Sequence, residues 1–208
     1  IFSATEVRAK DWQMETGFGK TALDHYGYAK KIKTSRNKIE RNITLLERAL
    51  KDSPQEPTLL MSYALDLYNR GDSEKALEIN RQAFQIVSEY PPDGISPEVR
   101  ERLVSVFSNL LLQSEMHEEL IEVAESPLAK DCGPTSSILF MYALALFKSG
   151  RVEDAMDPLR ECIAKLDEQT YCAPFPGSTG AAPHHLLADC LAKQNQPGEA
   201  LEQYRVAL

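Results

Sequence analysis

The sequence lacks a long apolar stretch, a paired cysteine motif and an excess of positive charge. Its longest apolar run, Ile138 to Phe147, has ten residues, whereas a helix needs about 20 to cross a bilayer. The formal net charge is −8, which disfavours nucleic acid as the main ligand. At 43% hydrophobic and 26% charged residues the composition is that of a globular protein. We therefore expect no membrane span and no nucleic-acid partner.

The spacing of the cysteines indicates the cellular compartment of the protein. None of Cys132, Cys162, Cys172 and Cys190 has the C-x-x-C spacing typical of zinc or redox sites, and Cys162 and Cys190 fall within helical patterns. We interpret them as reduced core thiols of a cytoplasmic protein. A Cys162–Cys172 disulfide is the less favoured alternative.

Leucine is nearly absent from the N-terminal fifth of the chain. Only one of 25 leucines precedes residue 45, and residues 1–41 carry nine Lys and Arg against five acids. We predict an irregular, strand-like N-terminal segment over residues 1–34 and a helical domain over 35–208, with Ser35 as the first N-cap. Because the chain begins with Ile1 rather than Met, we also expect more chain upstream, and an open helix at the C-terminus predicts more chain downstream.

An internal repeat dominates residues 36–208. Seven residues after Ala64 stands Gly71, five further is Ala76, and seven further is Ala83. The same steps from two other alanines give Ala143, Gly150, Ala155 and Cys162, and Ala188, Asn195, Ala200 and Ala207. Helices that pack about 8–10 Å apart need small residues where they cross, and a tight turn needs a residue that tolerates positive φ. The pattern predicts antiparallel helix pairs.

These residues resemble the tetratricopeptide repeat, a helix–turn–helix unit of about 34 residues. The resemblance implies an all-α, right-handed α-solenoid of about four repeats, in which the helix before Pro54 is the second half of an earlier unit. Residues 97–125 are predicted to be a degenerate unit without the small residues of the template. Insertions are expected at 90–97 and 171–183.

The resemblance also implies a function: binding of a peptide or protein in a concave groove lined by the first helix of each unit. By the family pattern the candidate lining residues are Met61, Leu65, Tyr68, Asn69, Phe140, Leu144, Phe147, Lys148, His185, Asp189 and Lys193. A covering segment or loop is the alternative for some of them, Leu65 and Leu144 above all. Met61 and Leu65 replace the residues with which some family members hold a terminal carboxylate. Self-association of the repeats is a further alternative.

A second resemblance covers residues 20–60. The run ending His25-Tyr-Gly-Tyr28, followed by a basic helix and Pro54, is similar to the junction in family 2 glycosyltransferases whose catalytic domain precedes tetratricopeptide repeats. It implies an upstream domain that binds a nucleotide-sugar and a divalent metal. The Asp-x-Asp motif of such enzymes is absent from these 208 residues. We therefore predict no catalytic residue and no cofactor for this chain itself, and interpret His25 as structural.

Two other patterns are weak. Gly19-Lys-Thr21 ends like a phosphate-binding loop, but Met14 stands where the first glycine is required. His185 and Asp189 lie four residues apart on one helix face, yet one pair of ligands does not make a zinc site. We expect this pair to line the groove, and no metal site is predicted.

Overall fold

The computed structural model describes residues 36–91, 94–168, 170–171, 174–175 and 177–208. The chain divides after Ser35, and the unit Arg36–Leu208 is the one described below. The predictions made for residues 1–34 and for Ser35 as an N-cap lie outside the described residues.

The described residues form helices and contain no strand. The helices are α1 Arg36–Asp52, α2 Pro57–Arg70, α3 Ser73–Ser88, α4 Pro97–Gln113, α5 His117–Glu125, α6 Pro127–Asp131, α7 Ser136–Lys148, α8 Met156–Ala164, α9 Ala181–Lys193 and α10 Pro197–Val206. As predicted, α1 ends just before Pro54, and Pro57 opens α2, where the missing amide hydrogen costs nothing.

The helices stack as repeated pairs. Four first helices, α2, α4, α7 and α9, pack against the second helices that follow them, which are α3, α5, α8 and α10 respectively. Each second helix also packs on the next first helix, and consecutive first helices touch, so they form one row. Helix α1 packs on α2 as the second helix of an earlier unit would. The predicted tetratricopeptide-like helical solenoid is confirmed.

One turn geometry joins every pair. Gly71, Glu115, Gly150 and Asn195 have φ values of 109°, 58°, 81° and 57°, in the left-handed region. In each turn the residue after the left-handed one donates its N–H, over 2.9–3.0 Å, to the carbonyl of a buried leucine five residues back. These leucines are Leu67, Leu111, Leu146 and Leu191. This pattern satisfies carbonyls that a helix end would leave unpaired.

Small residues lie seven positions before each left-handed residue. Ala64, Ser108, Ala143 and Ala188 are all fully buried. The prediction that the unit at 97–125 lacks small residues is therefore wrong at Ser108, because serine is small enough for two helices to meet there. The predicted difference from the template is confirmed at Leu120, which stands where the other units have alanine. The degenerate unit thus keeps the turn and the first crossing position of the template.

The core that runs through the stacked pairs contains one conspicuous polar side chain. Asn80 on α3 is fully buried, and neither its amide nitrogen nor its amide oxygen has a hydrogen-bond partner. The equivalent position on α8 is Leu159, which is also fully buried. Burying an unpaired amide costs free energy that an apolar side chain would not. Asn80 therefore weakens the α3 packing.

We expect the substitution Asn80→Leu to raise the free energy of unfolding by about 1–3 kcal/mol, because it removes an unsatisfied buried amide while keeping a similar side-chain volume. Urea denaturation measures the change. The control Asn69→Leu alters an exposed residue and should shift stability by less than about 0.5 kcal/mol. Destabilisation by Asn80→Leu would contradict this account.

The turn geometry gives a second prediction. Glu115→Gly should stabilise the chain by about 1 kcal/mol, because glycine adopts positive φ without the clash of a Cβ atom. The reverse change, Gly150→Ala, should destabilise it by about 1–2 kcal/mol. Thermal unfolding of both variants measures the effects, and a loss of stability in Glu115→Gly would argue against a shared turn.

Candidate functional site

The turn residues set a common register for the row of first helices. Three residues before the left-handed residue stand Tyr68, Leu112 and Phe147, on α2, α4 and α7. Each is half-buried and packs with one side against the main core. We call these three side chains the apolar stripe. It crosses the carboxyl ends of three adjacent helices.

A polar edge runs beside the apolar stripe. One position further along each first helix stand Asn69, Gln113, Lys148 and Lys193, and all four are exposed. Lys193 on α9 places its Nζ 4.3 Å from the centre of the Phe147 ring on α7, a cation–π distance. The lysine thus joins neighbouring first helices.

Two predicted lining residues are buried and cannot contact a partner. Met61 is 3% exposed and belongs to the core cluster that joins α2 to α4. Phe140 is 7% exposed, and its ring lies 6.4 Å from that of Phe175, in the loop between α8 and α9. The predictions for Met61 and Phe140 as groove-lining residues are corrected: neighbouring chain covers both.

The loop that covers Phe140 is anchored by hydrogen bonds to α7. The backbone N–H of Phe175 donates to Ser137 Oγ at 2.9 Å, and the hydroxyls of Ser137 and Ser178 are 3.0 Å apart. Ser178 is fully buried. The Tyr171 N–H donates to Glu101 on α4, at 3.4 Å. The described residues of the predicted insertion at 171–183 therefore contact the amino-terminal parts of α4 and α7, away from Leu112 and Phe147 at the carboxyl ends of these helices.

Leu65 and Leu144, for which covering by a segment or loop was the alternative, differ only in their degree of exposure. Leu65 is 37% exposed, and Leu144 is half-buried against the core. Both stand immediately after the buried alanine of their helix, beside the apolar stripe. They extend its apolar surface toward the middle of the row.

His185 and Asp189 are held by the second helix of their own pair. The Tyr204 hydroxyl on α10 donates a hydrogen bond to Asp189 Oδ1, and this bond raises the pKa of Tyr204. The His185 ring lies 5.9 Å from the Tyr204 ring. Within the described residues no group of three or more His, Cys, Asp or Glu side chains could hold a metal ion. His185 and Asp189 are both exposed, but each already contacts Tyr204. Lys148, in contrast, forms no ion pair with a described residue.

The residues that α4 adds to the apolar stripe and the polar edge were not predicted from the sequence. In the register of the other first helices, Leu112 and Gln113 belong to the apolar stripe and the polar edge, and Asn109 stands beside them, half-buried. The available signal was the seven-residue step from Ser108 to Glu115. It went unnoticed because glutamate is an unusual residue at positive φ.

The cysteines have the properties of core thiols. Cys132, Cys162 and Cys190 are free, and the Cys162–Cys172 disulfide alternative involves Cys172, which lies outside the described residues. Burial raises their pKa values to about 11, 12 and 11 respectively, which keeps the thiols protonated at neutral pH. These side chains therefore serve packing.

On the side of the second helices lies a depression of about 200 Å³, lined in part by Phe84, Phe107 and Val123. Arg81 and Glu119 close one side of it with an ion pair at 2.6 Å. A cofactor-sized ligand needs about 300–1,000 Å³. This depression is too small for such a ligand.

Comparison with solved structures identifies the fold. A crystal structure of MamA matches with a TM-score of 0.64 at 12% identity, covering 84% of this chain and 90% of that chain. MamA 41-end from Desulfovibrio magneticus RS-1 matches with a TM-score of 0.62 at 14% identity, covering 82% and 84%. A further MamA structure matches with a TM-score of 0.64 at 13% identity, covering 86% and 85%. At such identities the likeness shows the fold alone.

Comparisons with protein-family models and with curated proteins found no match to the chain. The glycosyltransferase resemblance receives no support, and much of the segment that carries it, residues 20–35, lies outside the described residues. Among the helices of the described part of the chain, none is both long and apolar enough to span a membrane.

The covering loop yields a prediction. Phe175→Ala should speed hydrogen exchange around Ser137 and lower the free energy of unfolding by about 1 kcal/mol, because the aromatic contact with Phe140 is lost. Exchange measured by mass spectrometry and urea denaturation test it. The control Tyr171→Ala changes a side chain that is mostly exposed and should leave both quantities unchanged. Equal exchange in both variants would contradict an anchored loop.

Proposed function

We propose that this chain is a protein-interaction module that binds a peptide or protein segment along its first helices. The observation that carries the proposal is the apolar stripe of Tyr68, Leu112 and Phe147, continued across three helices and bordered by the exposed polar edge. Aromatic side chains with a polar rim are characteristic of protein interfaces.

The covering loop supports this location. It occupies the amino-terminal half of α7 through Ser137 and Phe140, so the open surface lies at the carboxyl ends of the first helices. Tyr68, Phe147, Asn69, Lys148 and Lys193 from the sequence prediction all belong to this open part. The partner would extend along the row, roughly at right angles to the helices.

We assign the chain no catalytic residue and no cofactor. We propose a cytoplasmic location because the three described cysteines are free thiols, which suit a reducing compartment. Self-association through the same row is a separate prediction, and it fails if light scattering shows a monomer at high concentration.

A displayed library of short random peptides tests the groove. Peptides selected on the unmodified chain should bind the variants Tyr68→Ala and Phe147→Ala at least about tenfold more weakly, since truncating a central aromatic residue of an interface costs about 2 kcal/mol or more. Fluorescence anisotropy measures the affinities, and circular dichroism confirms that the variants fold.

Tyr90→Ala is the matched control, because Tyr90 is exposed after α3 and lies outside the row. Its affinity should equal that of the unmodified chain. Selected peptides that bind all three variants equally would rule out the apolar stripe as the binding surface.

A further inference from the structure

We infer that the partner segment is acidic, with carboxylate side chains beside an apolar or aromatic residue. The inference rests on the proposed groove and adds the chemistry of its occupant. The apolar residue would lie on Phe147 and Leu112, and the carboxylates would face Lys148 and Lys193.

Charge is divided between the two helix sets. The second helices α3, α5, α8 and α10 carry ten acidic and four basic residues. The first helices α2, α4, α7 and α9 carry four acidic and five basic residues. In a chain of net charge −8, the row that we propose as the groove is thus the one without an acidic excess. Like charges repel an acidic partner from the second helices, which favours approach to the row.

Three of the four acids of the first helices lie away from the two lysines. Asp66 interacts with Asn42 and Lys38 of α1. Glu101 accepts the Tyr171 N–H of the covering loop, and Asp189 accepts the Tyr204 hydroxyl. Glu98 stands in the first turn of α4, at the opposite end of the helix from Leu112. Of the four, only Asp189 lies near the two lysines, one helical turn before Lys193, and it forms no ion pair with Lys193 within the described part of the chain.

The two lysines of the polar edge are available. Within the part of the chain that the structure describes, neither Lys148 nor Lys193 forms an ion pair, whereas Arg70 at the end of α2 pairs with Asp72 and Glu40. Lys148 follows Phe147 directly, and the Lys193 ammonium lies over the Phe147 ring. An aromatic surface flanked by two cations favours a ligand that offers an apolar group and negative charge together. Phosphate chains offer only the charge.

The peptide selection described above tests this chemistry. Selected sequences should be enriched in Asp and Glu around Leu, Phe or Trp. Replacing the acidic residues of a selected peptide with their amides should lower its affinity about tenfold. The unchanged peptide should bind the double variant Lys148→Gln/Lys193→Gln with an affinity lowered by a similar factor. Its affinity for the unmodified chain should also fall between low and physiological salt.

Lys130→Gln is the matched control, because Lys130 is exposed on α6, outside the row, and makes no ion pair with a described residue. It should leave the affinity unchanged. Selected peptides without acidic enrichment, or equal binding by the lysine variant and the control, would overturn the acidic partner while leaving the groove intact. If Tyr68→Ala and Phe147→Ala also had no effect, the proposed function itself would fail. A single-stranded oligonucleotide that bound more tightly than the peptides would overturn the inference in favour of nucleic acid.

Discussion

The structure depends on one local arrangement, the left-handed turn that reverses the chain between the two helices of each pair. The residue after the left-handed position returns its N–H to the carbonyl of a buried leucine, as Asp72 does to Leu67. This hydrogen bond ends the first helix at a defined residue and directs the second helix back along it. Because all four pairs use it, equivalent residues of successive first helices come into line.

That alignment produces the surface to which we assign binding. Tyr68, Leu112 and Phe147 are far apart in sequence, but each stands three residues before a left-handed turn residue. Stacking of the pairs therefore brings side chains of equal register together, as in other helical repeats, where each unit contacts its neighbours. The covering loop then restricts the surface by closing the half that contains Phe140.

The proposed function joins this geometry to the charge of the chain. Within the described part of the chain, Lys148 and Lys193 form no ion pair and stand beside an aromatic ring, in a protein whose net charge is −8. The thiols and the small depression near Phe84 contribute packing rather than chemistry. We therefore propose a binding scaffold whose recognition chemistry is concentrated where two first helices meet.

The sequence by itself determined the fold, because small residues at fixed steps from Gly71, Gly150 and Asn195 act locally, within one helix pair. Only the seven-residue step from Ser108 indicated that Glu115 adopts the same turn, because glutamate carries no preference for positive φ. The family resemblance also placed Met61 and Phe140 on the groove, because a repeat pattern states which face a residue is on but not what covers that face. Only the tertiary structure decided which of these residues are covered. Phe175 packs against Phe140, and Tyr204 donates a hydrogen bond to Asp189. No repeat pattern encodes the separation in sequence between the members of these pairs.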